Sequence, residues 1–456
     1  MKPVARVTLV LAALALAALA CDLGTRSGPP TLIPTPGVTP PPTIGYATLS
    51  PQQLPPAAVT GAPDATSLLL NYGNQIESDR LISHVATLQG FETRHVNSGY
   101  ENPNRGIGAA ANWVLSQFES IRAASQGRLV VFPQPFNLDW AGVRSEARNI
   151  VAFLSGSEPA AGTLLIGAHY DSTGSNQNDG NAPAPGANDN GSGVAALLEL
   201  ARVLSSRPHR SAIIFVAFSA EEVGRRGSIS FVHDYLKPSG IDVRLMINLD
   251  SIGSPLDAQG NSDPDRLRVY SDGPDTSPSR EAARSVELLA LNHVPDLELV
   301  LQDSADRTGR YSDHITFSEA GYPAFRLIQS LEDSTRQNNA RDTIEIVQAS
   351  YLTRVTRAVL AIVTALADGP RPPRNIALRE AENGGRTLVW EPVPGASAYV
   401  VALRRPRARR YVQFDIEGSN SVTWDGFLPQ NFSSLAIAAR DANGLMGPLS
   451  ELFPIR

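Results

Sequence analysis

Leu164-Leu165-Ile166-Gly167-Ala168-His169-Tyr170-Asp171-Ser172 is the stretch on which the fold turns. An apolar run without a polar break stops at an imidazole and, two residues on, a carboxylate. The pattern returns twice. Ile213-Ile214-Phe215-Val216-Ala217-Phe218 stops at Ser219-Ala220-Glu221-Glu222, and Leu245-Met246-Ile247-Asn248-Leu249 stops at Asp250. Apolar runs of this length with no alternation read as strands buried on both faces. Further β-rich runs occur at 129–132, 149–154 and 324–328, and helical spacing lies between them, in Val194, Leu197, Leu198, Ala201 and Leu204 and again over 347–366. Strands alternating with helices predict an α/β body with a mixed, largely parallel central sheet flanked by helices. Ligands of such sheets gather beyond the carboxyl ends of central strands, so the polar residues ending these runs are where chemistry belongs.

Those endings are rich in acids. A Gly/Pro/Asn-rich loop after Ser172 closes on Gly186-Ala187-Asn188-Asp189-Asn190-Gly191-Ser192-Gly193 and adds Asp189 to the set. Carboxylates converging at one sheet edge repel each other unless cations compensate them. One His among several carboxylates is a ligand set for zinc. The single cysteine, Cys21, excludes a thiolate site and any internal disulfide framework. Apolar residues at 42 % and charged ones at 18 % allow a proper core. With 39 Lys and Arg against 45 Asp and Glu, the net charge of -6 gives no global attraction for phosphate backbones, and no nucleic-acid partner is expected.

The flanks carry a different message. Lys2 and Arg6 precede an apolar run over 7–20, which has the proportions of an export signal (residues 1–20). Ala18-Leu19-Ala20-Cys21 resembles a bacterial lipobox, with Ala18 where that motif usually has Leu, and it also satisfies the small-x-small rule for plain secretory cleavage. The expectation is a lipid anchor on Cys21 at the outer face of a bacterial cytoplasmic membrane, with secretion or an uncleaved anchor as alternatives. Ten prolines between Pro29 and Pro56 mark residues 21–66 as an extended Pro/Thr-rich spacer. Residues 67–368 form the α/β body, and Gly369-Pro370-Arg371-Pro372-Pro373 is a linker. Short strands at 386–390, 398–403, 411–414, 421–424 and 434–439 then predict a small all-β sandwich over 374–456. Trp390, Tyr399 and the run A-A-R-D-A-N-G-L-M-G-P-L-S-E resemble a fibronectin type III domain. The arginine-rich run 404–410 is expected in a solvated hairpin loop, with contact to an anionic cell-surface polymer as the alternative.

The segments A-H-Y-D-S, G-A-N-D-N-G-S-G, F-S-A-E-E-V-G-R-R-G-S and I-N-L-D-S-I-G match, in order and spacing, the core motifs of the co-catalytic zinc aminopeptidase family, which this chain resembles over about residues 67–368. Bacterial leucyl aminopeptidases, glutamate carboxypeptidases and glutaminyl cyclases share that fold. The resemblance implies that Asp189 bridges two zinc ions, His169 and Asp250 complete the first site, and Glu222 ligates the second. It makes Glu221 the general base for a zinc-activated water and Asp171 the carboxylate that orients His169. It also marks Asp189–Asn190 as a candidate cis peptide. Tyr311 and Arg310 lie beside the S-D-H segment and could grip the substrate or stabilise an oxyanion. Packing or a surface ion pair would equally account for them.

One departure matters. The family's last ligand to the second zinc is a His in an H-T-x-x-D-T tract. Here the tract is Asn338-Asn339-Ala340-Arg341-Asp342-Thr343, with Asn338 in place of the imidazole. An amide oxygen is a weaker, harder ligand. The expectation is one tight zinc site and a second that is weak, unless His314 of the S-D-H segment serves instead. The implied function is an exported metallo-aminopeptidase acting on peptides. A glutaminyl-peptide cyclotransferase and a non-catalytic surface-binding protein on the same scaffold are the alternatives.

Overall fold

The computed structural model describes residues 49, 53–55, 58–59 and 67–456 with the exception of 383; the expected export signal and Cys21 lie outside these. A two-residue strand, β1 (Ala58–Val59), precedes the body. The apolar runs then form β2 (Leu129–Trp140), β3 (Val143–Leu154), β4 (Thr163–His169), β5 (Ala212–Phe218), β6 (Val243–Leu249), β7 (Arg266–Ser271), β8 (Glu298–Leu301) and β9 (Ala324–Gln329). They make one eight-stranded sheet in the order β2-β3-β5-β4-β6-β9-β7-β8. The centre, β5-β4-β6-β9, is wholly parallel, whereas β2, β3 and the β9–β7 pair run antiparallel. All seven residues of β4 are buried, as expected of a strand with helices on both faces.

The helix Gly193–Leu204 crosses the middle of one face, every residue but Arg202 buried. Ser78–Gly90 and Ala349–Asp368 join it in the main core with the apolar face of Pro278–His293. Ala349–Asp368 is long and apolar enough to cross a membrane, but 72 % of its apolar window is buried inside the fold, so it acts as a core helix. A leucine such as Leu197, fully buried here, stabilises by about 1.5–3 kcal/mol.

After Asp368 the chain forms β10 (Ala377–Glu380), β11 (Arg386–Val389), β12 (Ala396–Arg404), β13 (Val412–Glu417), β14 (Ser421–Trp424), β15 (Ser434–Asp441) and β16 (Phe453–Pro454). These build two small antiparallel sheets, β1-β13-β12-β15-β16 and β10-β11-β14. Trp390 and Tyr399 meet edge to face at 5.1 Å in the core between them. Leu49 and partly buried Leu54 pack into the same core, and β1 pairs with β13. The stretch read as a spacer is therefore not free of the body along its whole length. On the outer face of the larger sheet, Val400, Ala402 and Ala438 join the core of the α/β body. The arginine run forms the hairpin connection between β12 and β13, and three of its arginines are paired. Arg404 pairs with Glu281, Arg410 with Glu287 and Glu298, and Arg409 with Asp303, all on the α/β body. Arg405 and Arg407, at the turn, are exposed.

Candidate functional site

His169, Glu221 and Asp250 stand at or just beyond the ends of β4, β5 and β6, and Asp189 enters from the segment Ala187–Ser192 that leads into the central helix. The geometry of that segment follows from its side chains. Asn190 Nδ2 donates to the Leu249 carbonyl at 2.8 Å, while its Oδ1 accepts from Gly193 and Ser251 N–H at 3.0 and 3.1 Å. Ser192 Oγ accepts from Ile252 N–H, and Asn188 Oδ1 accepts from Gly253 N–H. The D-N-G-S-G motif is thus a clasp on the chain leaving β6. Gly193 is obligatory, because a Cβ there would collide with Asn190 Oδ1 and the Leu249 carbonyl. Asp342 closes the clasp from the other side, its two oxygens accepting the N–H groups of Asn188 and Asp189 at 2.9 Å each. The Asp189–Asn190 peptide is cis.

The implied ligands converge. One donor atom from each of His169, Asp189 and Asp250 lies within 4.8 Å of the other two, and the same holds for His169, Glu221 and Glu222. His169 Nε2 is 3.4 Å from Asp189 Oδ1, 3.6 Å from Asp250 Oδ1 and 4.0 Å from Glu221 Oε2. The ring is oriented through Nδ1, which donates to the Asp171 backbone carbonyl at 3.2 Å with that residue's carboxylate at 3.5 Å. The Asp171 carboxylate has a second task. Its oxygens accept the backbone N–H groups of Glu221 and Glu222 at 3.1 Å each, fixing the two neighbours together at the mouth of β5.

Charge explains why this cluster calls for cations. Burial alone would lower the His169 pKa, but Glu221, Asp250, Asp171 and Asp189 drive it well above its ordinary value. Burial raises Glu221 well above the carboxylate range, with His169 pulling the other way. Glu222 is raised by burial, then by Asp189 and Glu221. Asp250 goes the other way: burial would raise it, but Arg326 and His169 hold it well below its usual value. His169 Nε2, Glu222 Oε1 and Asn338 Oδ1 are buried without a hydrogen-bond partner among the described residues. Orphaned donor atoms facing one another, with an imidazole among carboxylates, fit a divalent metal and zinc in particular.

The two halves of the site are unequal. Asn338 stands where the sequence placed it, in a left-handed conformation (φ 50°), its Nδ2 3.2 Å from Glu222 Oε2. His314 does not replace it. His314 Nε2 bonds the Ala305 carbonyl at 2.9 Å and lies 3.9 Å from Asp306, outside the converging groups. His314 lies in the first turn of the helix Asp313–Glu319, where the Ala305 carbonyl takes its Nε2. Arg310 and Tyr311 both line the cleft, of about 240 Å³, that opens over Asp189, Glu221, Glu222 and Asp250.

Sequence reasoning missed the residues behind the ligands. Arg326 Nη2 reaches Asp250 Oδ2 at 3.1 Å, and Ser312 Oγ donates to the same oxygen at 2.5 Å, while Oδ1 accepts from Ser251 Oγ at 3.1 Å and faces His169. Asp306 anchors Arg326 at 3.0 Å. A charged residue inside the apolar run Ala324-Phe325-Arg326-Leu327-Ile328 was the available signal, since an arginine is rarely buried unless paired.

Comparison with known proteins agrees. The sequence model of peptidase family M28 matches residues 149–363. A protein of Pyrenophora tritici-repentis named a probable zinc metalloprotease is 32 % identical over 338 residues, spanning 67 % of this chain and 77 % of its own length. Another of that name, from Pyricularia oryzae, is 31 % identical over 361 residues, spanning 72 % of each chain. Among solved structures, LapB from Legionella pneumophila superposes with a TM-score of 0.53 at 20 % identity, covering 67 % of this chain and 78 % of its own. The Porphyromonas gingivalis glutaminyl cyclase does so with a TM-score of 0.50 at 20 % identity, covering 63 % and 98 %. The structural likenesses speak for the fold. The sequence relatives, together with the ligand set at the sheet edge, place this chain in peptidase family M28, among the zinc metalloproteases.

Proposed function

We propose that the chain is an exported metallo-aminopeptidase that removes N-terminal residues from peptides, with a C-terminal module similar in strand plan to a fibronectin type III domain. The observation that carries this reading is the convergence of His169, Asp189 and Asp250 with Glu221 and Glu222 under a cleft open to solvent. His169, Asp189 and Asp250 would hold one zinc, with Glu222 and Asp189 offering oxygens to a second. Zinc, when bound, supplies a Lewis acid that polarises a peptide carbonyl and acidifies water. The chain's own contribution is proton transfer and positioning. Glu221 accepts a proton from the attacking water and returns it to the leaving amine. Burial raises its proton affinity in the direction a base working near neutral pH requires. Asp171 keeps Glu221 and Glu222 in place through their amides while orienting the imidazole.

A second reading, a glutaminyl-peptide cyclotransferase, is favoured by one observation: Asn338 leaves the second metal position without an imidazole, as suits a one-zinc enzyme. Purified protein incubated with leucyl-nitroanilide and with an N-terminal glutaminyl peptide, with and without zinc, separates the two. Zinc-dependent nitroaniline release supports the peptidase. Pyroglutamyl product without nitroaniline release supports the cyclase, and neither product with zinc bound leaves a binding protein. Export and lipidation of Cys21 remain part of the proposal, supported by the residues preceding it.

A further inference from the structure

The cleft wall is not purely acidic. Arg225, Arg307, Arg310 and Arg326 line it alongside the four carboxylates of the site. Three of these guanidiniums have a carboxylate outside the ligand set. Arg326 pairs with Asp306 at 3.0 Å, Arg307 with Glu332, and Arg225 with Glu319 at 3.7 Å. Arg310 differs. Its Nη1 donates to the neutral side-chain oxygen of Gln337, and the carboxylate within 4.0 Å of it is Asp189, whose Oδ2 is 3.9 Å from Nη2. The side chain is only 15 % exposed, so water does not solvate the charge in full.

Asp189 cannot be the lasting partner. Its Oδ2 is 3.9 Å from Arg310 Nη2, beyond hydrogen-bond reach, and its Oδ1 faces His169 among the groups that would hold zinc. Arg225, Arg307 and Arg326 already face carboxylates outside the ligand set, which leaves Arg310, among the described residues, as the lining guanidinium without one. A planar guanidinium with free donors matches a carboxylate in particular.

We propose that Arg310 binds a carboxylate of the substrate, so that the enzyme prefers peptides with a carboxylate close to the scissile bond. This rests on the peptidase reading above. The carboxylate has two sources, an acidic side chain or the α-carboxylate of a very short peptide. Tyr311, 51 % exposed at the same rim, leaves the entrance open to either.

The test uses the full-length zinc-loaded enzyme and two matched pairs, Glu- against Gln-nitroanilide and Leu-Leu against Leu-Leu-amide. The charged member of one pair should be favoured by about 10–100-fold in kcat/KM, chiefly through KM, the range expected of hydrogen bonds to a charged group. The pair that discriminates names the source. Arg310→Gln should collapse the preference, and Arg310→Lys should keep part of it, since a point charge lacks the fork. Calorimetry with glutamate hydroxamate and glutamine hydroxamate, and zinc content by mass spectrometry, provide readouts without turnover. Equal rates within both pairs, with equal hydroxamate affinities, would overturn the proposal while leaving the peptidase reading intact. Should no substrate be cleaved, the peptidase reading fails, and a Leu-Leu or glutamate hydroxamate affinity that Arg310→Gln does not change overturns the Arg310 assignment as well. Loss of zinc in Arg310→Gln with the preference retained would make Arg310 a support for Asp189 and likewise overturn it.

Discussion

At the scale of single residues, each candidate has a distinct geometric signature. Glu221 lies 4.0 Å from His169 Nε2 and takes its orientation from Asp171, whereas His169, Asp189 and Asp250 form the tighter triangle. Glu221→Gln should therefore reduce turnover to a trace while zinc content stays at the wild-type level. Activity above a few per cent at saturating zinc would remove Glu221 from the proton-transfer role. The second position makes the opposite prediction about metal. It offers Asp189, Glu222 and an amide, and losing an imidazole should weaken binding by more than the 10–100-fold that loss of an outer partner costs. Titration of metal-free protein should show one tight equivalent and one much weaker. Asn338→His should tighten the weaker one, and two tight equivalents in the native chain would refute the inequality. Asn338 was legible in the sequence because a motif predicted what should stand there. Arg326, Ser312 and Asp342 were not, since their role depends on which strand ends lie side by side.

The elements repeat that division. β4 and β5 follow their apolar runs to within a residue at each end, because a strand buried on both faces favours apolar side chains along its length. β7 and β8 escaped sequence reading: Arg266 and Arg268 break the apolar run of β7, and both are paired in the fold, Arg268 with Glu332 at 2.6 Å. The helix Pro278–His293 shows the same effect on a face packed against the C-terminal module. Its Glu287 is buried beside Arg410 and Glu298. Burial pushes that carboxyl up to about 7, Glu298 adds to the rise, and Arg410 and Arg284 oppose it. A folded pKa above the unfolded one means that the folded chain holds the proton more tightly between about pH 4.5 and 7. Stability should thus fall as pH rises through that window, by up to about 1.4 kcal/mol per pH unit from this group. Glu287→Gln should lie closer to wild type in melting temperature at pH 5 and exceed it at pH 8. A difference that does not change between the two pH values would remove Glu287 as the source.

For the whole molecule, the C-terminal sheets are part of the body's packing. Val400, Ala402, Tyr411, Ala438, Leu445 and Met446 are buried in the same core as the helices of the α/β body. At about 1.5–3 kcal/mol for each large side chain, their exposure would rival the 5–15 kcal/mol that holds a domain together. A chain ending at Pro373 should be insoluble or melt far lower, and a soluble truncation with unchanged melting temperature would show the interface to be dispensable. If Cys21 carries lipid, the full chain should partition into detergent and Cys21→Ser should not; equal aqueous partitioning of both would leave plain secretion. The sequence by itself determined the α/β order, the strand ends that carry His169, Glu221 and Asp250, and the missing imidazole at 338. All of these reside in local pattern, because burial dictates apolar runs and the chemistry sits where they stop. Only the tertiary structure decided that His314 bonds the Ala305 carbonyl, that Arg326 and Ser312 take one oxygen of Asp250, that Asp189 is the carboxylate within 4.0 Å of Arg310 among the described residues, and that Arg404, Arg409 and Arg410 pair across the two halves. Those facts depend on which distant residues meet, and pairing of buried charges over a hundred residues apart leaves no periodic trace along the chain.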